Sequence, residues 1–395
     1  MESPAGDVVP FPTSRTKPRA GLVLTGGGAR AAYQAGVIKA VRDILGTPAR
    51  LPFPILCGTS AGAINAATLA AFGDDFPRAV AALLEFWENM RCEHIYRTQV
   101  HHIARSGARW LAALMLLSRG NPVSLLDNAP LRELLERHLP LARIQGHLDS
   151  GALYAVCVTA SGYTSGQSVS FFQGAPGLAG WQRNERIGAA VALQVEHLLA
   201  SAALPFLFPA VKLHREYFGD GSMRQTAPVS PALHLGADRL LIVGTGRQAS
   251  TTEGRSRSSL YPSLAQIAGH ALNSIFLDAL RADVERLERI NRTLRLIAPE
   301  SHPEARLRPI QALVVAPSQP IERVAARFLH ELPRTVRFLL RPTGALSRGG
   351  SNLASYLLFE APFCRALIDL GYEDTQRCAA QVRELFSFSE ERVHA

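Results

Sequence analysis

Gly58-Thr59-Ser60-Ala61-Gly62 is a G-x-S-x-G sequence set between an apolar run and a stretch of small, helix-forming residues. In that context the glycines permit a sharp strand-to-helix turn that presents the serine hydroxyl as a nucleophile. The positive end of the following helix, with its free N–H groups, then faces the oxygen that becomes negative when serine attacks a carbonyl. Alone the pentapeptide is weak, because an unreactive glycine-lined turn has the same form.

An earlier cluster, Gly26-Gly27-Gly28-Ala29-Arg30-Ala31, allows two readings. Gly26, Gly28 and Ala31 fit G-x-G-x-x-G/A after a strand, a dinucleotide-binding pattern. That pattern expects an acidic residue about 20 positions on, and Asp43 falls inside the next helical stretch rather than at a strand end. The other reading has bare backbone units offering N–H donors to an acyl oxyanion. The G-x-S-x-G turn on a neighbouring strand favours it, since a hydrolase needs both pieces. Asp220-Gly221 reads first as an ordinary turn after a strand. It gains weight as a base for Ser60 because none of the twelve histidines occupies a persuasive loop. His94, His101 and His102 fall on helical faces.

Taken together, GGGAR, GTSAG, ASAALPFLFP and GDGSMRQTAPVSPALHLGADRLLIVG resemble the bacterial branch of the patatin-like phospholipase family, in order and with suitable spacing over about residues 20–246. The resemblance implies a three-layer α/β/α fold with a central mixed, mostly parallel sheet. It implies a Ser-Asp dyad without histidine, with Ser60 as nucleophile and Asp220 as base. It assigns the oxyanion hole to Gly26, Gly27 and Gly28, supported by Gly58, Gly62 and Gly221. Arg30 would steady that loop or meet a lipid phosphate. The implied substrate is a phospholipid or another acyl-ester lipid, and nothing in the scheme calls for a cofactor or metal. Two positions depart from the family: Ala31 stands for its usual glycine, and Ser222 follows Asp220-Gly221 where glycine or alanine is common. A nucleotide-binding protein built on Gly26–Ala31 stays open as an alternative. So does a catalytically idle member acting as an interaction protein, although the retention of both Ser60 and Asp220 argues against it.

The elements that must position these residues follow from the apolar patterning. Leu22-Val23-Leu24 is a buried strand, and Ala31 to Leu45 has helical spacing. LPFPILCGTSAGAINAATLAA repeats the order of strand, turn and helix, which points to a sheet covered on both faces. Residues 77–140 read as mainly helical, with Asp127 or Asn128 as a cap and Pro130 in a first turn. Strands are expected at Tyr154–Val158, Ser168–Phe172, across VKLHREYFGDGSM and at RLLIVGTG. EHLLASAALPFLFP reads as a helix broken at Pro205, and Leu204, Phe206 and Phe208 are candidate apolar walls for Asp220. Residues 1–19 read as a mobile tail, 247–260 as a flexible loop, and 261–395 as a mainly helical C-terminal extension packed on the core. Within it, Leu277, Leu280, Val284 and Leu287 mark an amphipathic helix with Glu285 and Arg289 paired. Short strands are expected near Leu294–Ile297 and Ala312–Val315.

Composition narrows the setting. The chain of 395 residues is 47% hydrophobic and 19% charged, a globular balance. Five scattered cysteines, with no CxxC pair, argue against a disulfide framework or a zinc site and fit a reducing compartment. The amino terminus lacks an apolar core for a signal peptide, and the apolar stretch Trp110–Leu117 is too short to span a bilayer. That stretch, flanked by Arg109 and Arg119, reads as core helix, lid or interfacial contact. The formal charge of +9 suits an anionic partner. The arginines form no basic stripe, so nucleic acid is not expected. A cytoplasmic protein with transient contact at a membrane surface is the expectation.

Overall fold

The computed structural model describes residues 18–99, 124–246, 261–297, 307–347 and 350–387. Trp110–Leu117, His101, His102, the 247–260 loop and nearly all of the 1–19 tail lie outside the described residues.

Ten strands make one mixed sheet: β1 (Ala20–Leu24), β2 (Ile55–Thr59), β3 (Ala155–Gly162), β4 (Ser168–Gly174), β5 (Trp181–Arg183), β6 (Arg186–Ala190), β7 (Val211–Leu213), β8 (Glu216–Asp220), β9 (Arg239–Val243) and β10 (Gln311–Val315). Their order is β10-β9-β1-β2-β3-β4-β6-β5, with the β7–β8 hairpin attached to β3. The run from β10 to β3 is parallel, whereas β4 and β8 pair antiparallel to β3.

The parallel strands are buried on both faces because successive residues feed opposite layers. Leu22 and Leu24 enter one apolar cluster and Val23 the other, and Leu56 is likewise separated from Ile55 and Cys57. The first layer is covered by α1 (Ala32–Ile44), α2 (Ala61–Ala71), α3 (Phe76–Glu88) and the helix Ala361–Arg377. The second is covered by Ser230–His234 and Ala279–Leu296. The result is a mixed sheet flanked by helices.

Residues after 260 are built into these layers. β10 extends the sheet beside β9, and Ala361–Arg377 lies across α1 at two glycines. A Cβ on Gly36 would come within 1.9 Å of the Ile368 carbonyl oxygen, and one on Gly371 within 2.2 Å of that of Tyr33. The expected strand near Leu294–Ile297 is instead the end of the helix Ala279–Leu296. Leu287 and Leu294 are seven positions apart and both buried, so helical packing continues through the short apolar run. The expected Glu285–Arg289 pair forms at 3.4 Å. The β5–β6 hairpin was not legible, since its three- and five-residue strands are too short and too exposed to set an alternating pattern.

The topology places the ends of β2 and β8 together. β4 occupies one edge of β3 over Ala155–Ser161. β2 pairs with β3 through Thr59↔Thr159, and β8 pairs with it from Gly162 back to Asp220↔Ala160. Both must therefore share the other edge, running toward each other and stopping opposite adjacent residues.

The helix crossing yields a stability test. Gly→Ala inside a helix normally gains about 1 kcal/mol from propensity, but at Gly36 the added methyl meets a fixed carbonyl rather than a side chain. Overpacking of this kind costs about 1–3 kcal/mol or more. Gly36→Ala is expected to lower the unfolding midpoint in denaturant, and a raised midpoint would show that this crossing is not tight.

Candidate active site

Ser60 sits between β2 and α2 with φ 56° and ψ −130°. A left-handed φ at a non-glycine residue costs on the order of 1–3 kcal/mol and persists only when the surroundings enforce it. Here the enforcement is explicit. The Ser60 N–H donates to Ser201 Oγ (2.8 Å), and the Ser201 hydroxyl donates to the Thr159 carbonyl (2.6 Å). Ser201 ends the helix Val195–Ser201, so that helix pins the elbow to β3. At Gly62 a Cβ would lie 2.4 Å from the Leu24 carbonyl oxygen, so only glycine lets α2 press this closely on the end of β1.

Asp220 ends β8 and is fully buried. Its Oδ1 accepts the Ser222 N–H at 2.9 Å. No hydrogen bond to Oδ2 forms among the described residues. Burial pushes the carboxyl pKa up from 3.8 to about 6, against the opposing pull of the nearby Ser60 hydroxyl and the Ser222 N–H. Gly221 lies so close to β3 that a Cβ would fall 2.0 Å from the Thr159 carbonyl oxygen. The turn after Asp220 is tied to β2 by the Thr59 hydroxyl, which donates to Gln225 Oε1 at 2.8 Å. Of the expected apolar walls, Leu204 and Phe208 are buried in the core, but Phe206 is 73% exposed and turned outward.

The glycine loop lies between β1 and α1. The Thr245 hydroxyl donates to the Gly26 carbonyl at 2.6 Å, and the Arg30 N–H donates to the Gly27 carbonyl at 3.1 Å. In a planar trans peptide the C=O and the next N–H point opposite ways. Anchoring those two carbonyls therefore aims the Gly27 and Gly28 N–H groups away from their anchors. Among the described residues no hydrogen bond consumes the N–H of Gly26, Gly27 or Gly28. Gly28 has φ +55° and leaves 2.3 Å between a built Cβ and the Tyr356 carbonyl oxygen, so it tolerates no side chain. Ala31 is already at the end of the short 3-10 turn Gly28–Ala31, which explains why a glycine is not needed there.

Arg30 is 1% exposed. Its Nε donates to Ser355 Oγ (2.8 Å), Nη1 to Asn273 Oδ1 (3.2 Å), and Nη2 to the carbonyl and side-chain oxygens of Asn352. The guanidinium also lies 3.9 Å from the Tyr356 ring centroid. Of the two roles left open by the sequence, this burial favours loop support and leaves no room for a lipid phosphate. Beneath the loop, Gln34 donates to the Thr25 carbonyl, Asn65 to the Ala31 carbonyl and Gln34, and Trp87 to Asn65. These buried bonds hold α1 and α2 in fixed register with the loop.

His197, His214 and His234 stay away. His197 Nδ1 accepts the Gln194 N–H at the start of its own helix, His214 lies in the exposed β7–β8 turn, and His234 stacks on Trp181. None bonds to Ser60 or Asp220. Asp43 is bonded to Arg42 within α1 rather than standing at a strand end. Among the described residues no three His, Cys, Asp or Glu side chains group to hold a metal ion. Ser201 and Thr245 were missed as site residues. Ser201 lies in plain view within ASAALPFLFP, but a hydroxyl that serves only backbone groups leaves no spacing signal.

A model of the patatin-like phospholipase family matches residues 22–233, more than half of the chain. The chain belongs to that family. Its match to the cGAMP-activated phospholipase of Pseudomonas aeruginosa is 30% identical over 215 residues, covering 54% of this chain and 55% of that protein. This patatin-like chain thus spans about half the length of that relative. Among solved structures, it is similar to human GIVD cytosolic phospholipase A2 in complex with methyl gamma-linolenyl fluorophosphonate, at 13% identity, with 93% of this chain and 59% of that chain covered and a TM-score of 0.35. VipD from Legionella pneumophila matches at 13% identity, 86% and 67% coverage and a TM-score of 0.28. At those scores neither likeness bears on activity.

The raised pKa of Asp220 makes a stability prediction with a definite sign. The folded chain holds this proton more tightly than the unfolded chain, so the group's contribution to stability falls as pH rises from about 4 to about 6. The cost at neutral pH is on the order of 3 kcal/mol. Asp220→Asn is therefore expected to unfold at higher denaturant than the native protein at pH 7, with the difference shrinking toward pH 4. Equal midpoints at both pH values would mean that the carboxylate is not held at a cost.

Proposed function

We propose that this protein is a serine lipid-acyl hydrolase of phospholipase type that uses a Ser60–Asp220 dyad. The observation that carries the reading is the meeting of a strained, buried serine elbow with a buried carboxyl whose proton affinity is raised. A carboxylate of ordinary pKa is a poor base for an alcohol, and a shift to about 6 brings it nearer the working pH. The family match and the phospholipase name of the relative supply the substrate class.

In the first step Ser60 Oγ bonds to the ester carbonyl carbon while its proton passes to Asp220. The negative carbonyl oxygen is held by the Gly27 and Gly28 N–H groups, with Gly26 completing the loop. Collapse breaks the bond to the alcohol, which leaves with the proton from Asp220. Water then attacks the acyl carbonyl as Asp220 takes its proton, the bond to Ser60 Oγ breaks as the fatty acid departs, and Asp220 returns the proton to Ser60 Oγ.

Ser60 is 2% exposed, so little of its surface is open to a lipid ester in this state. That burial favours a second element of the reading, in which an activator opens the site. The relative's name specifies cGAMP. Addition of cGAMP should raise ester hydrolysis by this chain; an unchanged rate would remove the activator and leave the dyad standing.

Ser60→Ala and Asp220→Asn are each expected to abolish hydrolysis of a p-nitrophenyl acyl ester in folded protein, and Ser60→Ala to abolish labelling by a fluorophosphonate. Substitution of His197, His214 or His234 should leave most activity. Selective loss in one of these would replace the dyad with a triad.

Because Asp220 acts as the ionised base, kcat/KM should rise with pH through about 6 and then level. A rate that falls over that range would exclude it as the base. Gly27→Ala is expected to reduce kcat about a hundredfold, the typical loss for one oxyanion donor. Loss of nucleotide affinity with full esterase activity would instead revive the dinucleotide reading.

A further inference from the structure

We propose that the rim beside Asp220, built from the β3–β4 turn, the β7–β8 hairpin and residues 223–224, is the surface on which this protein rests against an anionic lipid bilayer. The purpose of such a surface rests on the lipid-hydrolase reading, but its existence is tested separately.

Three apolar side chains project from this rim: Tyr163 is 48% exposed, Tyr217 53% and Met223 38%. Tyr163 and Tyr217 come from different segments yet lie together. The Tyr163 N–H donates to the Tyr217 carbonyl at 3.0 Å. Tyr163 crosses β8 so closely that a Cβ on Gly219 would come within 2.5 Å of its hydroxyl, one residue from the base. Met223 ends the short turn Gly221–Met223 that follows Asp220 directly.

Cations surround them. Lys212 and Tyr217 occupy paired positions across β7 and β8, which puts their side chains on one face. Arg215 is exposed in the hairpin turn. Arg224 Nη2 reaches 3.7 Å from a Cβ position on Gly166 in the β3–β4 turn. Apart from Asp220, the acid in these segments is Glu216, and its Oε1 already accepts the N–H groups of Thr164 and Ser165. The exposed charge of the rim is therefore positive.

Tyrosine combines an apolar ring with a polar tip and suits the headgroup level of a bilayer. Lysine and arginine there add attraction to anionic lipid that salt weakens, roughly fivefold in affinity per cation. No helix among the described residues is long and apolar enough to cross a membrane, so contact through such a rim needs no span.

The test uses the full chain and vesicles of ether-linked lipids, which have no ester to cleave. Cosedimentation with ether-linked phosphatidylcholine is compared with the same lipid mixed with ether-linked phosphatidylglycerol. The native protein should bind the anionic vesicles more tightly, and added salt should weaken that binding. Lys212→Glu with Arg215→Glu should reduce binding at least tenfold, as should Tyr217→Asp. Both variants should hydrolyse a short soluble ester at the native rate. They alter separate exposed side chains, so misfolding of one leaves the other to decide.

Equal binding to both vesicle types, no binding, or folded variants that bind like the native protein would each overturn the proposal. Native protein that binds anionic vesicles through this rim but cleaves no ester would uphold the surface and remove the hydrolase reading.

Discussion

β3 has one edge free of β4, and two strands must use it. β2 runs up that edge as far as Thr59, and β8 comes down it as far as Asp220. Neither can continue without displacing the other. The proposed nucleophile and base are thus brought together by a limit on how many backbone groups one strand edge can pair. A residue at the end of β2 and one at the end of β8 would meet whatever their side chains. The chemistry then depends on those two being serine and aspartate.

Much of the surrounding structure holds this junction in an unfavourable state. Ser60 is kept at a positive φ by Ser201, and Asp220 is kept in an apolar site that resists its ionisation. Both conditions cost stability locally, and both suit the proposed dyad, in which one would present the hydroxyl and the other would strengthen the base. Packing across the two apolar layers and the glycine-to-carbonyl crossings must offset these costs.

The glycine loop depends on residues well outside the span matched by the family. Arg30 is a buried cation with neutral acceptors from Asn273, Asn352 and Ser355, and Phe276 and Tyr356 stack beside the loop. An unmet buried donor on a charged group is costly, so these contacts tie the C-terminal residues to the glycine loop. A chain cut at the end of the family match would keep Ser60, Asp220 and the glycines and lose the groups that position the glycine loop.

The sequence by itself determined the strand–turn–helix units, because short apolar runs and glycine turns act locally. It also marked Ser60, Asp220 and Gly26–Gly28 as a set, through motif order and spacing. It did not determine that Leu294 continues a helix, since the three apolar residues among 294–297 fit either period until their packing partners are known. Nor could it disclose Ser201 and Thr245, whose hydroxyls act on backbone groups 141 and 219 positions away. Only the tertiary structure decided that Arg30 turns inward, that Phe206 turns outward, and that Asp220 is stripped of water. Those outcomes depend on which surfaces compete for burial once the chain has closed, and no local pattern encodes that competition.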